Sequence, residues 1–179
     1  MAKRQQKLGE RARPDRNGSA CARIRAQSTS RRTPMGTWDS GPFDNDTAAD
    51  WCGELDRADP GDRPALIRNA LGAAADEEGY LDSDLACEAI AAAAVVAARL
   101  PTGQAINSAY APDFLRSGDR LGLPHDLPTL AVRALDRIMA EDSEWHGLWN
   151  DASTDDNPAF DMVGSLRKTL SASPESGSD

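Results

Sequence analysis

The run DLACEAIAAAAVVAARL, Asp84 to Leu100, decides how this chain folds. Between Leu85 and Leu100 its only charged residues are Glu88 and Arg99. Alanine is the strongest helix former, and a helix that is apolar all round has to be covered on most of its sides. Alanine side chains end at Cβ, so neighbouring helices can approach closely, and this run is expected to be the central element. Pro101 cannot continue the helix and ends it. Glu88 interrupts the apolar run, which falls short of the roughly eighteen residues that span a bilayer.

Composition agrees with that reading. The chain has 179 residues, 40% of them hydrophobic but only 5% aromatic, enough for one domain with one core of small and aliphatic side chains. Valine and isoleucine, which favour strands, are sparse. Working outward from the central run, Ala48, Trp51, Cys52 and Leu55 share one helical face, with Asp44, Asn45 and Asp46 placed to cap it. ADPGD, Ala58 to Asp62, stops that helix. Pro64 suits the first turn of a second helix burying Ile67, Ala70, Leu71 and Ala74. Beyond Pro101 the chain is loose as far as His125, with a short turn of helix expected around Asp113–Arg116. Leu127, Ala131, Ala134, Leu135, Ile138 and Met139 then mark an amphipathic helix, with Pro128 near its start and Arg133 and Arg137 outward. Ser143 is placed to cap a short helix carrying Trp145, Leu148 and Trp149. Phe160, Val163, Leu166 and Leu170 define a last one. No repeat period and no sustained strand alternation emerges. The fold class expected is all-α: a compact single-domain bundle of about five to six helices around the Ala-rich one.

Charge divides the chain. Of 20 Lys/Arg and 29 Asp/Glu, ten and two fall in residues 1–34, a net of +8; the remainder carries −17, giving the overall −9. Residues 1–34 hold almost no large apolar side chain and are expected to be a disordered basic extension. Four origins fit its composition: plain disorder, an organellar transit peptide, a phosphate-touching arm, or a start codon assigned upstream of a true start at Met35. The composition break at Met35 favours the last. Residues 35–171 form the expected all-α domain, and 172–179 a disordered polar tail. A body so acidic repels nucleic acid and anionic membranes and suits a basic partner. With no apolar secretory segment and no membrane span, the expected location is cytoplasmic.

The chemistry-bearing residues are few. Phosphate-cradling glycine loops, nucleophile elbows and dinucleotide fingerprints are missing. Cys21, Cys52 and Cys87 form no CxxC pair, and Cys52 and Cys87 fall on apolar helical faces, where a thiol acts as a small hydrophobe. The two histidines, His125 and His146, stand in neither zinc-protease nor di-iron spacing. The acidic clusters Asp44/Asp46/Asp50, Asp76/Glu77/Glu78 and Asp151/Asp155/Asp156 lack the glycine and terminal glutamate of a calcium loop; helix capping and solvated loops explain them more simply. His146 lies four residues after Asp142, a spacing that orients an imidazole if the helix is continuous and that surface residues also show by chance. Met35-Gly36 with Ser40 matches a myristoylation pattern, but an acidic body gives a single acyl chain no electrostatic help. No catalytic, cofactor or metal residue is assigned. Trp38, Trp51, Trp145 and Trp149 supply most of the aromatic area and are read mainly as core.

The stretch MGTWDSGPFDNDTAADW, Met35 to Trp51, resembles the opening of the bacterial domain-of-unknown-function 4259 family, commonly M-G-x-W-G-x-G-x-F-x-N-D followed by a helix. Met35, Gly36, Trp38, Gly41, Phe43, Asn45 and Asp46 match, while Asp39 stands where a glycine is usual. The Ala-rich helix and SEWHGLW, Ser143 to Trp149, look like later landmarks, so the likeness runs from about Met35 to Leu170. The resemblance implies a small bacterial protein and carries over no activity, cofactor or catalytic residue. Gly36, Trp38, Gly41, Phe43, Asn45, Asp46, Trp145 and Trp149 are read as structural, with a Gly41-Pro42 corner letting Trp38 and Phe43 fold back onto the bundle.

The function expected is that of a non-enzymatic protein-interaction module for a protein partner, a basic one suiting the acidic body. The alternatives are a hydrolase-type enzyme built on Asp46, Asp142 and His146, and nucleic-acid contact through the basic arm.

Overall fold

A computed structural model describes residues 40–101, 103, 106, 108–117, 121–152 and 157–172, all within one compact unit, Pro34–Asp179. Among the described residues it is all-α, with seven helices: α1 Asp46–Arg57, α2 Arg63–Ala75, α3 Ser83–Ala98, α4 Asp113–Ser117, α5 Leu127–Ile138, α6 Glu144–Ala152 and α7 Pro158–Ser171. The five-residue α4 stands where the sequence suggests a single turn. None of the described helices is long and apolar enough to cross a membrane. The expectations for residues 1–34 and for the tail after Ala172 lie outside the described residues, as do Cys21, Gly36 and Trp38.

The Ala-rich helix is the centre. α3 packs against α1, α2, α5, α6 and α7, and every residue from Ala89 to Val96 is at most 3% exposed. Its small side chains leave the bulk to come from its neighbours: Leu55, Ile67, Leu71, Leu127, Leu135 and Ile138 all close onto it at 1% exposure or less. The α1, α2 and α5 faces read from periodicity are buried as expected. On α6 the expected stripe is only partly inward, since Trp145 is buried but Leu148 is 48% exposed. On α7 Val163 and Leu170 reach the core and Phe160 and Leu166 pack at its margin.

Loops are tied by long-range bonds that periodicity does not report. Leu81 accepts from Glu144 N at 2.9 Å and donates to the Asp142 carbonyl at 3.1 Å, an isolated parallel bridge pairing Leu81 with Ser143. Glu144 reaches back to accept from Ser83 N at 3.0 Å, so the first residue of α6 caps α3. Arg137 departs from the outward placement its helical position suggests. Only 14% of its side chain is exposed; it donates to the Glu77 carbonyl at 2.8 Å and to the Gly79 carbonyl, and pairs with Asp142 at 2.9 Å. A loop crosses the last turn of α5, and the guanidinium's fixed fork satisfies two of that loop's carbonyls at once. Arg133 does face outward, paired with Asp76 at 2.8 Å.

Candidate functional site

The segment Ser40–Asn45 carries three of the six described motif residues, Gly41, Phe43 and Asn45. The Asp44 N–H donates to the Gly41 carbonyl at 3.3 Å, closing a turn. A Cβ on Gly41 would stand 2.0 Å from Asp44 Oδ2, so the corner admits only glycine while that carboxylate keeps its place. Asp44 is held there by the Ser108 hydroxyl, which donates to Oδ1 at 2.9 Å. Of the three residues able to cap α1, Asn45 does so, its Oδ1 accepting from Ala48 N at 2.8 Å. Asp46 is exposed in the first turn, where a negative charge favours the helix dipole. Phe43 is fully buried.

Ser40, Gly41 and Asn45 line a cavity of about 10 Å³ together with Ile90, Trp145, Trp149, Ala159 and Met162. That is the space of about one water molecule. Four motif residues from the two ends of the domain thus meet: Gly41 and Asn45 before and at the start of α1, Trp145 and Trp149 on α6. The α6 rings continue onto α7. Trp145 lies 6.0 Å from Trp149 and 5.8 Å from Phe160, both tilted, and His146 stacks on Phe160 at 5.1 Å and 9°. These are favoured aromatic separations.

Met162 also lines an open groove of about 310 Å³, together with Pro42, Phe43, Ala97, Ile106 and Leu166. Its polar groups are the hydroxyls of Ser108, Ser165 and Thr169. Ser108 is engaged by Asp44, and Thr169 donates to the Ser165 carbonyl at 3.0 Å. Among the described residues the groove's lining holds no ionisable side chain, and its apolar walls suit apolar groups.

The expected catalytic trio is not assembled by its described contacts. α6 begins at Glu144, so Asp142 precedes the helix and does not share a face with His146; it pairs with Arg137 instead. His146 is taken up by Phe160, and Asp46 sits on α1. Neither cavity described above includes any of the three. Burial, reinforced by nearby carboxylates, pushes the Cys52 and Cys87 thiols up to about 12, which denies them thiolate chemistry at neutral pH. Asp76 is paired with Arg133, and Glu77 accepts from Gly79 N at 2.8 Å. Among the described residues no three His, Cys, Asp or Glu side chains gather to hold a metal ion.

Carboxylates of α1 and α3 form a more coherent feature. Asp46, Asp50 and Glu54 recur at four-residue spacing on α1 and are exposed. The Thr47 hydroxyl donates to Asp84 Oδ1 on α3 at 2.8 Å, joining the two helices at their N-terminal ends. Burial, then Glu54, then Asp84 raise the Glu88 pKa, so these groups feel one another across the α1–α3 contact. The described ion pairs, which use Asp76, Asp113, Asp126, Asp136 and Asp142, draw on none of them.

The chain belongs to the family described as Domain of unknown function (DUF4259), whose model matches residues 36–163. Comparison with curated proteins and with solved structures finds no significant match.

Proposed function

We propose that this DUF4259 member is a bacterial, cytoplasmic, non-enzymatic protein-interaction module, and that its acidic α1–α3 face receives a basic partner. The observation that carries the reading is the row Asp46, Asp50 and Glu54 beside Asp84 and Glu88, none of them used by the described ion pairs. It stands on a chain segment, 35–179, whose net charge is −17. Like charges so placed raise one another's energy, and a cationic surface relieves that repulsion on binding. Such contacts set encounter rate and selectivity, and they weaken with salt. The buried cysteines and the stacked histidine support the non-enzymatic side of the reading.

The test is affinity capture from the native host at several salt concentrations, run in parallel with the charge-reversed variant D46K/D50K/E54K. A partner retained at moderate salt by the native chain and lost by the variant is the expected result. Equal capture by both proteins overturns the proposed face.

A further inference from the structure

We infer that α4 is a latch closed over an oxyanion seat made by Arg63 and Arg99, and that a phosphate or carboxylate group holds it open. Five residues cannot sustain a helix in water by themselves, and α4 alone among the seven helices has no extended packing partner. Its hold is concentrated on Phe114, which is 3% exposed. Two guanidiniums reach that ring, Arg63 with its carbon 4.4 Å from the centroid and Arg99 at 5.7 Å, both within cation–π range. Arg99 also donates from Nη2 to the Phe114 carbonyl at 3.2 Å, and the Asp56 carboxylate accepts from Asp113 N at 2.9 Å.

The closed arrangement leaves charge and hydrogen bonding unbalanced. Arg63 and Arg99 enter none of the described ion pairs, although residues 35–179 carry a net charge of −17. Asp113, on α4 itself, is paired with Arg116. Arg99 Nε is buried with no hydrogen-bond partner, and an unsatisfied buried donor is unfavourable. When Phe114 leaves, it vacates a space that both guanidiniums contact, and acceptors gain access to that N–H. Arg63 stays anchored meanwhile, since its Nε and Nη2 donate to the Leu55 and Asp56 carbonyls at 3.1 Å. An oxyanion matches the planar donors of a guanidinium better than a ring face does. Because Arg99 Nε is covered while α4 is closed, such an anion binds the open form preferentially and shifts the equilibrium toward it.

The experiment is native-state hydrogen exchange on the full chain, in chloride, inorganic phosphate and acetate at equal ionic strength. Amides of Asp113–Ser117 are expected to exchange roughly a hundredfold or more faster than those of Ala91–Val96. In phosphate or acetate they should exchange severalfold faster than in chloride, while the Ala91–Val96 amides do not respond. A response to phosphate alone supports a phosphate group as the ligand, and equal responses support a carboxylate as well. Arg99→Met keeps the apolar stem, removes the seat and is expected to abolish the anion response. Phe114→Leu keeps an apolar side chain without the ring's attraction for cations, and should speed α4 exchange severalfold even in chloride. Exchange of α4 in step with the central helix overturns the latch. An oxyanion effect no larger than that of chloride, or one that survives Arg99→Met, overturns the seat. Should Arg99→Met fail to fold, Arg99→Lys takes its place; it keeps the charge but has no planar fork, and an undiminished anion response in it overturns the seat equally.

Discussion

Ser108 donates its hydroxyl to Asp44 across 2.9 Å, and that one bond fixes the roles of three consecutive acidic or amide residues. Asp44 is drawn toward the loop that follows α3, Asn45 takes over the cap of α1, and Asp46 is left to the solvent. Gly41 is the other half of the arrangement, since only hydrogen at its α-carbon leaves room for the Asp44 carboxylate. Gly41→Ala must rotate Asp44 away and lose the Ser108 bond, at a cost of about 1–3 kcal/mol. Ser108→Ala loses the bond without the clash and is expected to cost less. Urea unfolding of both singles and the double checks this, with the double costing less than the sum.

Glu88 gives the chain a pH dependence of defined sign. Burial, and after it the carboxylates of Glu54 and Asp84, raises its folded-state pKa above the ordinary value. Between the unfolded and folded pKa values the native chain binds more protons than the unfolded one. The Glu88 contribution to stability therefore falls as pH rises through that window and stays lower at neutral pH. Glu88→Gln is expected to unfold at a higher temperature than the native chain at pH 7, by a few degrees at most because the site is only half-buried. Differential scanning calorimetry from pH 4 to pH 7 should show the two proteins converging toward acid.

Arg137 and Arg133 stand one turn apart on α5 and differ in what they hold. Arg137→Ala leaves the Glu77 and Gly79 carbonyls without their donor and is expected to cost about 2–3 kcal/mol. Arg133→Ala breaks an ion pair whose side chains are 57% and 69% exposed, and is expected to cost less than about 1 kcal/mol. Chemical denaturation measures both; a smaller loss for Arg137 than for Arg133 would contradict the buried clamp.

Cys52 and Cys87 are expected to be silent toward a thiol reagent in the native state. Both are buried and both thiols are pushed up to about 12, so at pH 8 almost none is thiolate. In a Cys21→Ser background, labelling with an aromatic disulfide should be negligible before unfolding and reach both thiols in denaturant.

Overpacking tests the centre of the bundle. Ala92 is fully buried on α3, whereas Ala73 on α2 is exposed. Ala92→Leu is expected to cost about 1–3 kcal/mol or more, and Ala73→Leu to stay within about 0.5 kcal/mol. Thermal unfolding of the pair separates tight packing from a general intolerance of leucine.

Much of the fold was legible because helical periodicity reports which face is apolar. Ala48, Trp51, Cys52 and Leu55, like the corresponding residues of α2 and α5, are buried where their spacing puts them. Periodicity is silent about what crosses a face, which is why Arg137 reads as outward although a loop covers it. The Leu81–Ser143 bridge left no trace either, since one residue on each side carries no alternation. The meeting of Gly41 and Asn45 with Trp145 and Trp149 is a tertiary fact that no local pattern contains. The Met35–Trp51 motif and SEWHGLW identified the family without saying that they touch.

The central helix has one more consequence, for how the bundle comes apart. α3 owns little apolar area per residue, so its burial depends on α1, α2, α5, α6 and α7 staying in place together. None of these covering helices can detach without admitting water to an alanine backbone that has almost no side chain to shield its amides. Partial opening is therefore costly from every direction, and the slowest-exchanging amides should sit between Ala91 and Val96, released only when the whole bundle opens as one cooperative unit.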